Sequence, residues 1–335
     1  MRASNIKSTV PITHTTILLS MASAQGINTD KLLLSAGLDP DDFFAQEHLC
    51  AERFSLLYQK IVQKSLDEYF GMLSQGKVPI GTLRTLCHTV LHSSSLQQAI
   101  CRIGDFHEIC RGAQVKPVIS HLGSHVKVSF LPINGSDYYS SFAFNSNPEK
   151  ICNTLFMFSR FISWLIGKRI EIKEANFAFK EPENRQIYKK MLRTSLKFYQ
   201  KENALIFPAY YLDSPLVQSE ANLRDFLKTA PLQLLSASGN TIPMKVQVAN
   251  IVARDFSKKS TTARKVADLL NMSVSTLRRR LNQEETSFKE IKDECRCNTV
   301  LRFMSPPISA MTKLRNWLVT ATLQDSFVLL NAGGE

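Results

Sequence analysis

Residues 261–288, TTARKVADLLNMSVSTLRRRLNQEETSF, predict two short helices joined by a tight turn. In the first helix, apolar residues within Val266–Leu270 recur at the spacing of one helical face. In the second, Ser273 is placed to act as the N-cap, and Leu277 and Leu281 face inward four residues apart. This pattern is typical of a helix-turn-helix, in which the second helix enters the major groove of DNA.

Three consecutive arginines, Arg278 to Arg280, lie on the second helix. A guanidinium group can bond both major-groove acceptors of one guanine, and it also neutralises phosphate charge. The alternative interpretation of such a triplet is a solvated basic face on an ordinary helical hairpin. The cap, the turn and the inward leucines together favour the DNA-reading interpretation.

Residues 272–304, MSVSTLRRRLNQEETSFKEIKDECRCNTVLRFM, resemble the first helix-turn-helix and the linking helix of AraC-type transcriptional regulators. Members typically show Met-Ser-x-Ser-Thr-Leu-x-Arg-x-Leu, then a Gly-x-Ser-Phe turn, then a long helix. Here Glu285 stands where the family usually has glycine, so a positive φ at this position would strain it slightly. Ser287 is expected to cap the linking helix, and Phe288 to pack under it.

The match to this motif implies which side chains contact double-stranded DNA. Those implied to contact bases are Ser275, Arg278 and Arg279. Those implied to lie nearer to phosphate are Ser273, Thr276 and Arg280. The resemblance therefore implies a sequence-specific regulator that binds a promoter or operator.

Charge and cysteine usage agree with a DNA partner inside the cell. The net charge is +12, and half of it falls in residues 237–335, less than a third of the chain. The seven cysteines are odd in number and scattered, with no C-x-x-C, which indicates a reducing compartment. On a helix, Cys295 and Cys297 diverge by roughly 200°, so they are not expected to form a ligand pair.

Several function classes lack a supporting pattern. The most apolar stretch, 154–166, is short and contains Arg160, so no membrane span is expected. His88 and His92 share a helical face, but no third ligand follows at a sensible spacing, so a structural pair is expected and no metal site. No catalytic motif or cofactor fingerprint occurs. The sequence predicts a cytoplasmic protein that is not an enzyme and needs no cofactor.

The N-terminal two-thirds mixes helices with antiparallel strands, which predicts an α+β domain. Helical spacing dominates residues 15–112 and returns over Pro148–Ile166 and Ser219–Leu235. One hairpin is expected from Val115–Ser120 and His125–Leu131 and a strand over Ile170–Phe179. A second hairpin is expected from Leu196–Tyr199 and Ala204–Phe207.

Residues 15–235 resemble the N-terminal sensing domain of one branch of the AraC family. The matching pieces are GINTDKLLLSAGLDPDDF, FSLLYQKIVQ and PIGTLRTLCHTVLHSSSLQQAICRIGDF, followed by the first hairpin. The resemblance implies a small-molecule effector, unnamed by any residue pattern, and a possible homodimer. Residues 236–240 are expected to be a linker, and residues 241–304 an all-α DNA-binding domain. That domain begins with a helix over Thr241–Phe256, with Val246, Ile251 and Val252 facing its core.

The tail, residues 305–335, lacks the second helix-turn-helix that AraC-type modules carry. We form new codons from the third base of one residue's codon and the first two bases of the next. Asn316-Trp317 then forces leucine, and Phe327-Val328 permits only arginine or cysteine. The shifted frame can spell L-A-G-Y-S-D-P-A and R-A-F-K-R-W, which resembles the missing unit. A one-base frameshift between about Met304 and Ile308 is therefore hypothesised, and DNA sequencing across the junction tests it.

Two functions remain open. The first is a transcription regulator that senses a small molecule and binds DNA. The alternative is a ligand-binding or dimerising protein whose DNA binding is impaired by the loss of the second reading helix.

Overall fold

The computed structural model describes residues 9–74, 76–133, 147–230, 234, 243–254, 261–270 and 272–304. The chain divides into two compact units between Pro243 and Met244. The predicted linker, 236–240, and the predicted frameshifted tail, 305–335, lie outside the described residues.

The first unit mixes helices with two β-sheets. Its described helices are α1 (Ile12–Ala24), α2 (Thr29–Ser35), α3 (Pro40–Phe43), α4 (Ala51–Ser65), α5 (Thr82–Leu91), α6 (Leu96–Ile109), α7 (Pro148–Leu165), α8 (Arg185–Leu192) and α9 (Glu220–Thr229). Its strands are β1 (Thr9–Pro11), β2 (His48–Cys50), β3 (Val115–Leu122), β4 (His125–Pro132), β5 (Glu174–Asn176), β6 (Ser195–Lys197) and β7 (Ala204–Pro208). A 3-10 turn, Ala209–Asp213, follows β7.

Strands β1 and β2 pair antiparallel, and the larger sheet has the order β3-β4-β7-β5-β6. Its pairings are antiparallel except that of β5 with β6, which is parallel. The apolar face of this sheet is buried, as at Val128 and its partner Leu205, both 0% exposed. The most fully buried large side chains of the unit include Phe43, Phe54, Phe70, Phe177, Phe207 and Phe226.

The predicted first hairpin is confirmed as β3–β4, but the predicted second hairpin is wrong. Residues 195–197 and 204–208 are not neighbours in the sheet, because β5 lies between them and pairs with both. Tyr199, at φ +57°, turns the chain, and Gln200 N donates to the carbonyl oxygen of Phe177 beside β5 rather than closing a hairpin. The expected strand over Ile170–Phe179 is limited to β5.

Two helix ends of the first unit are set by local features. Ser95 accepts from Gln98 N at the start of α6, and Gly37, at φ +70°, follows the end of α2. The expected helix over 219–235 is too long, because α9 ends at Thr229 and Ala230 is extended. The next residue in the sequence is proline, which disfavours helical geometry in the residue before it.

The second unit is all-helical in its described residues. Its helices are α10 (Met244–Arg254), α11 (Ala263–Leu269), α12 (Val274–Gln283) and α13 (Phe288–Met304). Ile251 and Val252 face the core as predicted, whereas Val246 is only half-buried. Val248, 0% exposed, fills the core instead. The predicted fold class, an α+β unit followed by an all-α unit, is therefore confirmed.

Candidate functional site

The turn between α11 and α12 is fixed by hydrogen bonds and buried leucines. Thr262 Oγ1 accepts from Lys265 N at the start of α11, and Met272 N donates to the carbonyl oxygen of Ala267 at its end. Leu277 and Leu281 are 0% and 1% exposed, as the sequence predicted. The inward side of α12 is therefore held by packing, and its other side faces solvent.

That solvent side, which we call the arginine face, comprises Ser275, Arg278, Arg279 and Arg280, all exposed. Ser275, Arg278 and Arg279 are spaced i, i+3, i+4, so they lie on one stripe of the helix. None of the three arginines has an ion-pair partner among the residues that the structure describes. The arginine face thus presents three guanidinium groups that are available to bind an anion or a base edge.

A cluster of hydroxyl groups surrounds the first turn of α12. Ser273 Oγ accepts from Thr276 N at 3.1 Å, which confirms its predicted role as the N-cap. The same oxygen lies 2.8 Å from Ser275 Oγ and 2.9 Å from Thr276 Oγ1. These contacts fix the rotamers at the N-terminal end of the arginine face. That Ser273 and Thr276 contact phosphate stays a prediction.

The turn after α12 is tied to α10 by Glu284, whose role the sequence did not reveal. Its two carboxylate oxygens accept from Met244 N and Lys245 N, each at 2.7 Å, and so cap the start of α10. Glu285 then adopts φ +54°, the strained conformation expected at a position where the family usually has glycine. The end of α12 is therefore fixed to the first helix of its own unit.

A capping box opens α13. Ser287 Oγ accepts from Glu290 N, and Glu290 Oε2 accepts from Ser287 N at 2.8 Å. The hydrogen bond from the Ser287 backbone lowers the pKa of the Glu290 carboxyl. Phe288 is half-buried beneath this turn. Further along α13, Cys295 is buried and its thiol donates to the carbonyl oxygen of Ala249, whereas Cys297 is exposed, so the two sulfurs diverge as predicted.

The first unit encloses an apolar cavity of about 490 Å³. Helices α4 to α7, described residues of the loop between α4 and α5, and the hairpin β3–β4 contribute its walls, together with Leu227, Lys228, Ala230 and Leu234. Among the described residues, five tyrosine and phenylalanine rings line it: Tyr58, Tyr69, Phe130, Phe158 and Phe161. The volume falls within the range of small-molecule sites, which are mostly apolar with a few placed polar groups.

Two tyrosines supply much of the polar wall of the apolar cavity. Tyr58 Oη donates to the carbonyl oxygen of Phe70 at 3.1 Å. Tyr69 Oη lies 3.0 Å from His107 Nε2, and His107 Nδ1 lies 2.9 Å from the carbonyl oxygen of Val115. Because that carbonyl only accepts, Nδ1 carries the proton and Nε2 accepts from Tyr69. Burial lowers the pKa of His107, which keeps the imidazole neutral.

Glu68 supplies a carboxylate to the same wall. Its Oε2 accepts from Leu83 N, in the first turn of α5, at 2.8 Å. Its Oε1 has no hydrogen bond to any described residue. The Glu68 charge adds to burial in raising the pKa of Tyr58 and of Tyr69, so both tyrosines stay protonated. The carboxylate therefore makes this part of the cavity wall negative.

On one side the apolar cavity is bounded by the end of α9 and by Leu234; we call Leu227, Lys228, Ala230 and Leu234 the closing segment. Gln59 Nε2, on α4, donates to the carbonyl oxygens of Lys228 at 3.4 Å and of Ala230 at 2.9 Å. These bonds hold the end of α9 against α4. No motif had marked these cavity residues, because they come from separate elements and share no sequence spacing.

The remaining predictions concern absences. His88 and His92 are exposed, and no group of three or more potential ligands is arranged to hold a metal ion within the described ranges. Among helices in the described part of the chain, none has the length and apolar character to cross a membrane.

Comparison with known proteins identifies the first unit. A family model, the arabinose-binding domain of AraC transcription regulators at the N-terminus, matches residues 26–216, more than half of the chain. The crystal structure of the transcriptional regulator CdpR from Pseudomonas aeruginosa is similar over 86% of each chain, with 14% identity and a TM-score of 0.32. No curated protein matches. The family match includes the cavity walls from α4 to α7 and ends before the closing segment.

Proposed function

The chain belongs to the family of AraC transcription regulators, and on this premise we propose that it binds specific DNA sequences through α12 and responds to a small molecule held in the apolar cavity. The arginine face is the observation that carries the DNA-binding part. The proposed role is regulation rather than catalysis, and double-stranded DNA as partner implies a cytoplasmic location.

Three features of α12 support DNA reading. Its exposed side carries arginines without acidic partners among the described residues, while its inner side is fully packed. Arg278 and Arg279 share a stripe with Ser275, so one helix face can present them together to base edges. Arg280 lies to one side of that stripe and is assigned to phosphate, with Ser273 and Thr276.

The apolar cavity supports a small-molecule effector other than a sugar. The matching family model is named for arabinose, whose hydroxyl groups need many hydrogen-bonding partners. Here the wall is dominated by aromatic and aliphatic side chains. Removing sugar hydroxyls from water without replacing their hydrogen bonds costs free energy at each group. We therefore propose that the effector of this protein is largely apolar.

The closing segment provides a route by which the apolar cavity can influence the DNA-binding unit. It lies directly before the predicted linker in sequence, and its position depends on Gln59 and on apolar contacts with the cavity. A ligand that prefers one position of this segment shifts its population. The proposal is that this shift alters DNA affinity through the chain that follows.

Substitution of Arg279 tests the DNA-reading role. Sites are first selected from random duplexes with the full chain, and affinities for a selected site and for a scrambled duplex are then measured. Arg279→Ala is expected to weaken the selected site by roughly tenfold or more, because one good base contact contributes about 1–3 kcal/mol. The affinity for the scrambled duplex should fall much less.

Arg296→Ala is the matched control, because it removes the same charge from α13, where Arg296 lies 3.8 Å from Asp293. It should affect both duplexes equally and weakly. Equal losses on both duplexes in Arg279→Ala would contradict base reading and leave a phosphate role. A homodimer, also proposed, is tested by measuring the molar mass of the free chain in solution.

The alternative function is a ligand-binding protein with impaired DNA binding. It is favoured by the tail sequence, 305–335, which lacks a second helix-turn-helix. Comparing the chain with a frame-restored version in the same selection separates the two functions. Site selection by both versions supports a regulator, whereas selection by the restored version alone supports the impaired protein.

A further inference from the structure

We infer that the apolar cavity binds an organic cation, with its apolar body among the aromatic rings and an ammonium group directed at Glu68. This inference rests on the proposed function only in taking the cavity as the effector site. It adds the chemical class of the ligand.

The hydroxyl groups in the cavity wall already donate hydrogen bonds to other groups of the protein. Tyr58 donates to the carbonyl oxygen of Phe70, and Tyr69 donates to His107. Thr154 donates to the carbonyl oxygen of Lys150 and accepts from Leu73 N. The tyrosine oxygens therefore offer a ligand lone pairs but no proton.

The carboxylate of Glu68 adds a further acceptor and a negative charge. Its Oε2 is occupied by Leu83 N, which leaves Oε1 for a ligand. Gln63 and Gln114 also line the cavity, but an amide can donate or accept and so favours neither sign. Gln59 uses its amide protons on Lys228 and Ala230. A ligand that donates protons to Glu68 and the tyrosines suits this wall better than one that accepts them.

Among the wall residues that the structure describes, no cation neutralises Glu68. Among the described lining residues, the one lysine or arginine is Lys228, and its side chain is 75% exposed and lies 3.6 Å from Asp225. Burial lowers the pKa of His107 and so keeps its imidazole neutral, against the opposing effect of the hydrogen bond from Nδ1 to the Val115 carbonyl oxygen. A carboxylic acid ligand would place a second negative charge in this wall, whereas an ammonium group would balance the first.

The aromatic rings suit both parts of such a ligand. Tyr58 and Tyr69 lie on the polar side, where a ring face attracts a cation. Phe130, Phe158 and Phe161 line the apolar remainder, where they can pack against a hydrocarbon or a ring. An arylalkylamine is therefore a suitable probe.

Three probes with one carbon skeleton test the inference: 4-phenylbutylamine, 4-phenylbutan-1-ol and 4-phenylbutyrate. Binding to the full chain is measured by calorimetric titration at pH 7, with arabinose as a fourth compound. The amine should bind at least about tenfold more tightly than the alcohol, because hydrogen bonds to charged groups are the stronger ones. The acid should bind most weakly of the three, and arabinose should not bind measurably.

Glu68→Gln should lower the affinity of the amine to that of the alcohol and leave the alcohol within about twofold. Glutamine keeps an oxygen for Leu83 N, so the start of α5 stays capped. Glu52→Gln, on the exposed side of α4, is the charge-matched control and should change nothing. Met157→Trp, which fills the cavity from α7, should abolish binding of all three probes.

Equal affinity for the three probes, preference for the acid, or binding by none of them would overturn the inference. So would amine binding that persists in Met157→Trp, because the amine would then bind elsewhere. The duplex titrations with Arg279→Ala use no probe. DNA reading can therefore stand when the ligand class fails, and the ligand class can stand when DNA reading fails.

Discussion

The arginine face and the apolar cavity differ in how the chain builds them. The arginine face comes from one continuous helix, so its residues follow a short spacing rule and its caps lie within three residues. The apolar cavity draws on residues from Tyr58 to Leu234, across five described helices, a loop and a hairpin. A site made by one element can be found from its sequence pattern, whereas a site made by many elements needs the fold.

The largest expected effect is a loss of stability confined to the unit that carries the arginine face. Leu277 is 0% exposed in the core of the second unit, so Leu277→Ala should cost about 2–5 kcal/mol. That is a large part of the stability of a small unit. Pulsed hydrogen exchange in urea is read on peptides of α12 and of α4. It should show a lower free energy of unfolding for α12 and no change for α4. Asn282→Ala, at an exposed position of α12, is the control. An equal loss of stability in α4 would contradict the expectation that the two units unfold independently.

The same contrast explains which parts of the fold could be predicted. Thr262, Ser273 and Ser287 cap helices through neighbours in sequence, so their roles could be read locally. The second hairpin was predicted wrongly because alternation shows that a segment is a strand but not which strand lies beside it. Here β5 separates the two expected partners. Glu284 was missed for the same reason, since its partners lie 40 and 39 residues away.

A lower pH should destabilise the first unit through its histidines, and this effect is smaller than that of Leu277→Ala. All seven histidines lie between His14 and His125, so histidine titration acts on the first unit alone. His14 is buried, stacked 5.5 Å from the ring of Phe54, and burial lowers its pKa to about 4. Between pH 6.5 and about 4 the unfolded chain binds a proton that the folded chain does not. Stability therefore falls as pH falls through this window, by about 3 kcal/mol at most.

Unfolding in urea at pH 7 and at pH 4.5, read on peptides of α1, measures this loss. His14→Phe should remove much of the pH dependence, because phenylalanine can occupy the same apolar site without titrating. His88→Gln, an exposed residue on α5, should retain it. A dependence that is unchanged in His14→Phe would assign the acid sensitivity to other groups.

Substitution of Gln59 tests how much its two hydrogen bonds contribute to holding the closing segment against α4. Gln59→Leu removes the bonds to Lys228 and Ala230, and should cost about 1 kcal/mol locally. Native-state hydrogen exchange of peptides covering α9 should become faster by several-fold, while α12 stays unchanged. Lys64→Leu, also near the end of α4 but exposed and outside the cavity wall, is the control. Equal exchange in both variants would show that apolar contacts alone hold the segment.

The smallest expected effect concerns backbone strain, which is compared at one non-glycine residue of each unit. Glu285 and Leu66 adopt φ +54° and φ +53°, where a Cβ atom is unfavourable. Glu285→Gly should stabilise the second unit by about 0.5–1 kcal/mol, since the relief of strain exceeds the entropy that glycine adds to the unfolded chain. Glu285→Ala keeps the Cβ and removes the charge, so it separates backbone strain from electrostatics and should show no gain.

Leu66→Gly should gain less, because the Leu66 side chain lines the apolar cavity and glycine loses that contact. Urea titrations of the three variants, read on α12 or α4 peptides, measure the difference. A larger gain for Leu66→Gly than for Glu285→Gly would mean that the Leu66 side chain contributes nothing to the cavity wall. The boundary of the apolar cavity would then have to be drawn without it, while the arginine face would be unaffected.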